Sequence, residues 1–366
     1  MNIGILTSQS TPLVPIVPSI AIKYIKDGYD VAIESGAGMG SYFSDDDFRS
    51  VGVKVEKRAT VLSQSDIILV DENISDDEIQ SMSEEAILIG KFNVLSHPEL
   101  AERLKPFNFR IFSLDLVPRS SIAQSMDVLS SLASLAGYKA VVAAAERFPG
   151  YFPMMTTAAG TVPPAKVLVL GAGVAGLQAI ATAKRLGASV EAFDVRSAVK
   201  EEVESLGAKF IEVEGSVEDK GAGGYAVTQT AEYVQKQKEL IHERAHKADV
   251  VISTANIPGK KAPVLIEGIT VEAMKPGSVI IDMASATGGN CEFTQDNKEI
   301  EHKGVKIIGN SRLFHQLPKE ASRLYSTNLY NFIKFILKEG PNSIPYQHEI
   351  VQKTLLTDYK LAETAS

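Results

Sequence analysis

The chain has 366 residues, 45% hydrophobic and 22% charged, with a formal net charge of −8 that argues against nucleic acid or an anionic membrane surface as an electrostatic partner. That length suits about two domains, and a single cysteine, Cys291, excludes an internal disulfide framework or a cysteine-rich zinc site. No apolar run approaching the roughly 20 residues of a membrane span stands out, and the opening MNIGILTSQS lacks the basic region and cleavage site of a signal peptide, so a cytoplasmic protein is expected.

In chain order, residues 1 to about 128 alternate between strand-like and helix-like stretches. Ile3 to Leu6, Val31 to Glu34, Ile67 to Val70, Ala86 to Ile89 and Phe109 to Leu114 read as strands, which predicts a parallel sheet covered by helices. The turn after the first strand, TSQSTPLVP, has no glycine fingerprint, so this half is expected to resemble a nucleotide fold without holding a nucleotide. Gly36-Ala37-Gly38-Met39-Gly40 has the wrong spacing for a phosphate loop, and SYFSDDDF after it reads as a loop and a capped helix start.

A helical pattern is expected from Ser120 to about Arg147, with Gln124, Asp127 and Ser130 at i, i+3 and i+6. On a helix that spacing lines up an amide, a carboxylate and a hydroxyl on one face, while Met126, Leu129 and Leu132 supply apolar contacts. Arg119 stands just before it. A solvated face with one capping serine accounts for the pattern equally well. PGYFPMMTTAAGTVPP then reads as a connector.

The stretch that organises the second half is KVLVLGAGVAGLQAIATAKRLGASVEAFDVR, Lys166 to Arg196. A strand-length run, Val167 to Leu170, leads straight into Gly171-Ala172-Gly173-Val174-Ala175-Gly176, in G-x-G-x-x-G spacing. The first glycine permits a tight turn, the second a close approach to a pyrophosphate, and the third close helix–sheet packing. The helix N-terminus then offers N–H groups and a positive dipole. A second strand, Ser189 to Phe193, ends on Asp194, followed by Val195 and Arg196. A carboxylate there accepts the adenosine ribose hydroxyls and repels a 2′-phosphate. An arginine at 196 can serve a 2′-phosphate, but the acid at the strand tip decides for NAD(H) over NADP(H).

Further strands at Asp249 to Ser253, Ser278 to Met283 and Val305 to Ile308 complete the pattern of a doubly wound sheet. The expected fold class is α/β: two Rossmann-like doubly wound parallel-sheet domains with a cleft between them. The domains are residues 1–128 with 316–366, returned by a helix from Glu320 to Leu337, and residues 129–315. GSVEDKGAGGYAVTQT suits either a loop that closes with Gly224 and Tyr225 at its docking point or a plain surface insertion. In STANIPGKKAP, Ala255 and Asn256 follow a strand's carboxyl end, where Asn256 either faces the nicotinamide half of a ligand or shapes the turn. His242-Glu243-Arg244-Ala245-His246 formally matches a zinc-protease signature, but it lies in a strongly charged helix, and no metal site is expected. His97, His302, His315 and His348 form no acid–base set.

Together RSSIAQSMDVLSSLASLAGYKAV, the glycine fingerprint with its strands, GGYA, IPGKKAPVLI, MKPGSVIIDMA with GGNCE, and EIVQKTLLT resemble the NAD(H)-binding domain I of proton-translocating NAD(P) transhydrogenase, the separate soluble portion of its alpha subunit and a relative of alanine dehydrogenase. The resemblance covers nearly the whole chain. It implies that Arg119, Ser120, Ser121, Ile122, Gln124, Asp127, Leu129 and Ser130 hold the nicotinamide end, that Gly171 to Gly176, Asp194, Val195, Arg196, Ala255 and Asn256 hold the rest, and that Gly224 and Tyr225 belong to a mobile loop. Gln124, Asp127 and Tyr225 would serve hydride transfer from NADH to NADP+ bound on a partner subunit. No protein acid or base is then required. It further implies a homodimer, coupling to proton translocation by membrane-spanning partner subunits, and a peripheral place on the inner face of the cytoplasmic membrane. The chain departs from the family pattern in its opening LTSQSTPLVPIVPS, at Ile122 for an arginine, at Asn256 for a leucine and at Ala286 for an acid. An alanine dehydrogenase-like keto-acid oxidoreductase is the alternative enzyme. Against it, no arginine precedes Arg49, no Lys or Arg lies between Arg58 and Lys91, and Asn93 falls where that family's catalytic histidine would be. A non-catalytic NAD(H)-sensing module is the other alternative.

Overall fold

Uninterrupted apolar runs such as Ile67–Leu69 and Val167–Leu170 leave no polar face for water, so their strands must be covered on both sides. The computed structural model, which describes residues 1–8, 10–72, 74–213, 230–257, 259–340 and 343–357, covers them that way. Two compact units result: Met1–Leu132 joined by the chain from Leu317 onward, and Ala133–Gln316.

In the first unit, β1 (Asn2–Ile5), β2 (Asp30–Glu34), β3 (Lys54–Glu56), β4 (Ile67–Asp71), β5 (Ile87–Lys91) and β6 (Arg110–Ser113) form a six-stranded sheet in the order β3-β2-β1-β4-β5-β6. Every pairing is parallel. β3 leaves no signature in the sequence, because KVE is too short and too charged to read as a strand. The apolar segment LVPIVP has its backbone satisfied from the helix Pro318–Ile336, where Ser322 and Ser326 hydroxyls accept the N–H groups of Val14 and Val17, both at 3.0 Å. The decoy glycines serve packing. A Cβ on Gly38 would strike Phe43 and Phe48, one on Gly40 would strike Pro12, and the Gly36 N–H donates to Asp45 at 2.8 Å. Ser44 and Asp47 form a capping box on the following helix, as the SYFSDDDF stretch foretold.

In the chain between the two sheets, β7 (Met155–Thr157) and β8 (Gly160–Val162) form an antiparallel hairpin, every residue of it exposed. In the second unit, β9 (Lys166–Leu170), β10 (Ser189–Phe193), β11 (Lys209–Ile211), β12 (Val250–Ser253), β13 (Val279–Asp282), β14 (Lys298–His302) and β15 (Val305–Gly309) lie in the order β11-β10-β9-β12-β13-β15-β14. Only β14, which forms a hairpin with β15, runs antiparallel. Alternate residues of β9 feed two cores. Val167 and Val169 pack with Ala140, Ala144, Ile180 and Val203, while Leu168 and Leu170 pack with Ile241, Ala245 and Val271. Each of these valine, leucine and isoleucine side chains contributes roughly 1.5–3 kcal/mol on burial.

The expected helix from Ser120 starts instead at Val128 and runs to Arg147, 20 residues. By length and composition this helix would suffice to cross a membrane, contrary to the expectation that no run comes near that length. Its Ala136, Ala140, Val141, Ala143 and Ala144 are buried in the second unit's core.

Candidate functional site

β9 is the hinge of its sheet. β10 lies on one side and β12 on the other, so the strand order reverses here, which is where doubly wound sheets gather ligands. The register levels the strand ends, with Phe193 opposite Leu170 and Ser253 opposite Leu170. Gly171, Asp194 and Thr254 therefore emerge at one edge.

The three glycines differ in what they do. Gly171 has φ +95°, where an L side chain is strained, and its Cβ would lie 2.7 Å from Thr254 Oγ1. Gly176 packs so closely that its Cβ would fall on the Gly171 carbonyl. Gly173, the N-cap of the helix Val174–Arg185, meets nothing within 4 Å. No side chain caps this helix, and the first N–H groups of such a helix start can serve an anion. An open face at Gly173 over an uncapped helix start suits a pyrophosphate. Lys184 and Arg185 in the last turn and Gly187 at φ +88° close the helix. Ala172 is buried and Val174 is exposed.

Asp194 is held in place by the fingerprint itself, since the Ala172 N–H donates to its Oδ2 at 2.7 Å. Its Oδ1 accepts the Arg196 N–H and Nε–H, both at 2.9 Å, and Oδ2 accepts Arg196 Nη2 at 2.7 Å. The carboxylate holds the Arg196 guanidinium pKa above its ordinary value. Val195 packs partly buried on the core beneath. Burial first, and then the Asp194 charge, push the Tyr233 phenol up.

Beside them Thr254 Oγ1 donates to the Gly171 carbonyl at 3.0 Å, tying the β12 loop to the fingerprint turn. Ala255 and the exposed Asn256 sit in that loop, and Asn256 Oδ1 accepts from Thr287 Oγ1 at 3.1 Å. The fully buried Asn290 is the anchor that sequence inspection missed. Its Oδ1 accepts from Ser253 Oγ (2.6 Å) and Ala255 N (3.1 Å), and its Nδ2 donates to the Ala255 and Pro263 carbonyls, both at 2.8 Å. Buried Asp282 fixes the backbone there by accepting from Asn290 N, Cys291 N and Thr294 Oγ1. The only signal was the GGNCE string, whose partners are distant in sequence.

The other predicted cluster lies in the first unit as a loop, not a helix face. Arg119, Ser120, Ser121, Ile122 and Gln124 are exposed on turns ending in the 3-10 segment Gln124–Met126. Asp127 departs from helical geometry at ψ 93° and instead caps the helix that follows, accepting Ser130 N at 2.9 Å and Ser130 Oγ at 2.6 Å. Leu129 is half-buried. Asn328 and Asn331 both donate to the Ser125 carbonyl, at 2.9 and 3.0 Å, and so hold the loop. The structure thus brings 119–130 together in one unit and 171–176, 194–196 and 254–256 together in the other. Gly224 and Tyr225 lie outside the described residues.

His242 Nδ1 meets Thr270 Oγ1 at 2.9 Å and His246 Nδ1 meets the Ala273 carbonyl at 2.6 Å, so both rings brace the helix Gly268–Ala273. Glu243 pairs with Lys247 at 2.7 Å. Among the described residues no three His, Cys, Asp or Glu side chains gather to hold a metal ion. Asn93, at φ +54°, donates its N–H to the buried Asp115 at 3.1 Å.

Two family models match the chain, alanine dehydrogenase/PNT N-terminal domain over residues 9–136 and alanine dehydrogenase/PNT C-terminal domain over residues 140–360. NAD(P) transhydrogenase subunit alpha of Haemophilus influenzae is 44% identical over 92% of this chain, which spans 66% of that protein's length. The first of the parts into which NAD(P) transhydrogenase subunit alpha is divided in Rhodospirillum rubrum is 45% identical over 87% of this chain and 85% of its own. Among solved structures, transhydrogenase from Sinorhizobium meliloti superposes with a TM-score of 0.87 at 40% identity, covering 98% of each chain. An L-alanine dehydrogenase superposes at 0.80 with 23% identity, covering 100% of this chain and 98% of its own, a likeness of fold alone.

Proposed function

The chain belongs to the alanine dehydrogenase/PNT family, and we propose that it is the NAD(H)-binding alpha subunit of a proton-translocating NAD(P) transhydrogenase. The observation that carries this is the switch-point site: an uncapped helix behind a glycine that meets nothing within 4 Å, flanked by a carboxylate at the neighbouring strand tip. When bound, the nicotinamide would supply hydride-transfer chemistry toward NADP+ on a partner subunit. Everything asked of this chain is binding, orientation and exclusion of water. The first-turn N–H groups of Val174–Arg185 take the pyrophosphate charge. Asp194 takes the ribose hydroxyls and turns away a 2′-phosphate. Gln124 and the Asp127–Ser130 pair, with Arg119, Ser120, Ser121, Ile122 and Leu129 around them, position the carboxamide end, and Tyr225 with Gly224 closes over it. Ala255 and Asn256 flank the ring. Membrane-spanning partner subunits carry the proton and hold this chain at the inner face of the cytoplasmic membrane.

The test is reconstitution with an NADP(H)-binding partner subunit. Hydride transfer from NADH to an NADP+ analogue is expected, with none to pyruvate plus ammonia. Binding of NADH without transfer would replace the enzyme subunit with a NAD(H)-sensing module.

The homodimer belongs to the same proposal. A lone two-stranded hairpin is marginal in water, yet every residue of β7 and β8 is exposed, Met155 at 39%, and Met154 just before β7 is 66% exposed. A second copy of this chain that covers it would bury that surface. Sedimentation at micromolar concentration should give a dimer that Met154→Asp with Met155→Asp dissociates, and a monomeric wild type would overturn the assignment.

A further inference from the structure

The Asp194 carboxylate has no acceptor capacity left. An ionised carboxylate offers about four lone-pair sites, and four donors fill them: Ala172 N, Arg196 N, Arg196 Nε and Arg196 Nη2, all at 2.7–2.9 Å. Two are main-chain N–H groups, fixed by the fingerprint turn and by the chain leaving β10. The other two belong to one guanidinium. The Arg196 side chain is 25% exposed and that of Asp194 only 6%, so the guanidinium is the solvent-side member of the pair.

We propose that Arg196 is an internal surrogate for the adenosine ribose, holding the Asp194 acceptors in the ligand-free protein and leaving them when a dinucleotide binds. This rests on the dinucleotide-binding function proposed above. A ribose diol brings two O–H donors where the guanidinium has placed two N–H donors, so the exchange keeps the carboxylate's hydrogen bonds constant in number. The main-chain pair keeps the carboxylate aimed throughout. Breaking a bidentate, charge-assisted pair opposes binding, so Arg196 lowers NADH affinity.

The same pair sets selectivity. A 2′-phosphorylated nucleotide lacks one of the two hydroxyl donors and brings further negative charge against Asp194. Arg196, whose planar guanidinium suits such a phosphate, is engaged by the carboxylate. Asp194 therefore accepts the ribose and also sequesters the arginine that would favour NADP(H).

The experiment is a fluorescence or calorimetric titration of the full chain with NADH and with NADPH. It compares wild type, Arg196→Ala, Arg196→Lys, Asp194→Ala and the double variant, with a thermal melt for each. Arg196→Ala should bind NADH roughly three- to fivefold more tightly than wild type, the scale of a partly exposed ion pair. Arg196→Lys, a point charge in place of a fork, should move the same way by less. Asp194→Ala should weaken NADH and gain NADPH affinity, and the gain should vanish in the double variant. If Arg196→Ala fails to fold, Arg196→Lys decides by the direction of its change. A wild type that binds NADH while the arginine variants bind it equally or more weakly overturns this proposal alone, because the pair is then a static brace. A wild type that binds neither nucleotide overturns the dinucleotide function and this proposal with it.

Discussion

Gly173→Ala is expected to melt where the wild type melts and to bind NADH roughly 10- to 100-fold more weakly. The two halves of that expectation have separate causes. Gly173 sits at φ −79°, which any L residue adopts, and its added Cβ would meet nothing within 4 Å, so the fold should not register the methyl. That empty space is where the pyrophosphate must approach the backbone. One extra carbon in a fitted contact costs about 1–3 kcal/mol. The neighbouring glycines should behave otherwise. At Gly176 the Cβ would fall on the Gly171 carbonyl, and at Gly171 the positive φ adds strain, so alanine at either position should lower the melting temperature before any ligand is added. A Gly173→Ala chain with wild-type NADH affinity would remove the pyrophosphate from this turn.

The contrast between those glycines shows what a single sequence can reveal. The fingerprint was legible because its parts are adjacent: strand, turn, helix and second strand fall between Lys166 and Asp194, and each imposes its local pattern. The same adjacency misled at 120–147. Helical spacing placed Gln124, Asp127 and Ser130 on one face, but an aspartate with a serine three residues later satisfies the helix's free N–H groups better from outside it, and Asp127 takes that place. The turns before it are then held by Asn328 and Asn331, some 200 residues on, which no local pattern announces. Arg196 reads in the sequence as an arginine suited to a 2′-phosphate, while its two-residue bond to Asp194 shows only in the structure. The His242–His246 spacing matches a metal motif only formally, and in the structure both rings bond Thr270 and Ala273 of a neighbouring helix. Asn290 left only the string GGNCE as a trace, because its side-chain partners, Ser253, Ala255 and Pro263, lie 27 to 37 residues before it.

That buried asparagine gives the second large effect. Asn290→Ala should lower stability by about 3–5 kcal/mol and expose Cys291 to thiol reagents under native conditions. All four side-chain capacities of the amide are used, two acceptors toward Ser253 and Ala255 and two donors toward Ala255 and Pro263. Alanine leaves the buried Ser253 hydroxyl without its acceptor, frees the Ala255 and Pro263 main-chain groups it tied together, and loosens the loop that carries Ala255 and Asn256, so NADH binding should weaken as well. Cys291, next in the chain, is buried, and burial above all pushes its thiol up to about 11, which makes the wild type nearly inert at pH 8. Its labelling rate therefore reports local opening. Unchanged labelling together with a melting temperature within about 2 °C of wild type would show that Asn290 anchors nothing. Asn290→Asp separates charge from shape. It keeps both acceptors but turns oxygen toward the Ala255 and Pro263 carbonyls, which favours the protonated acid and raises its folded-state pKa above the unfolded value of about 3.9. A raised carboxyl contributes stability at low pH and loses it as pH climbs through the folded pKa. The gap between this variant and the wild type should thus be smallest near pH 4 and widen toward pH 8, whereas the gap for Asn290→Ala should hold constant across that range.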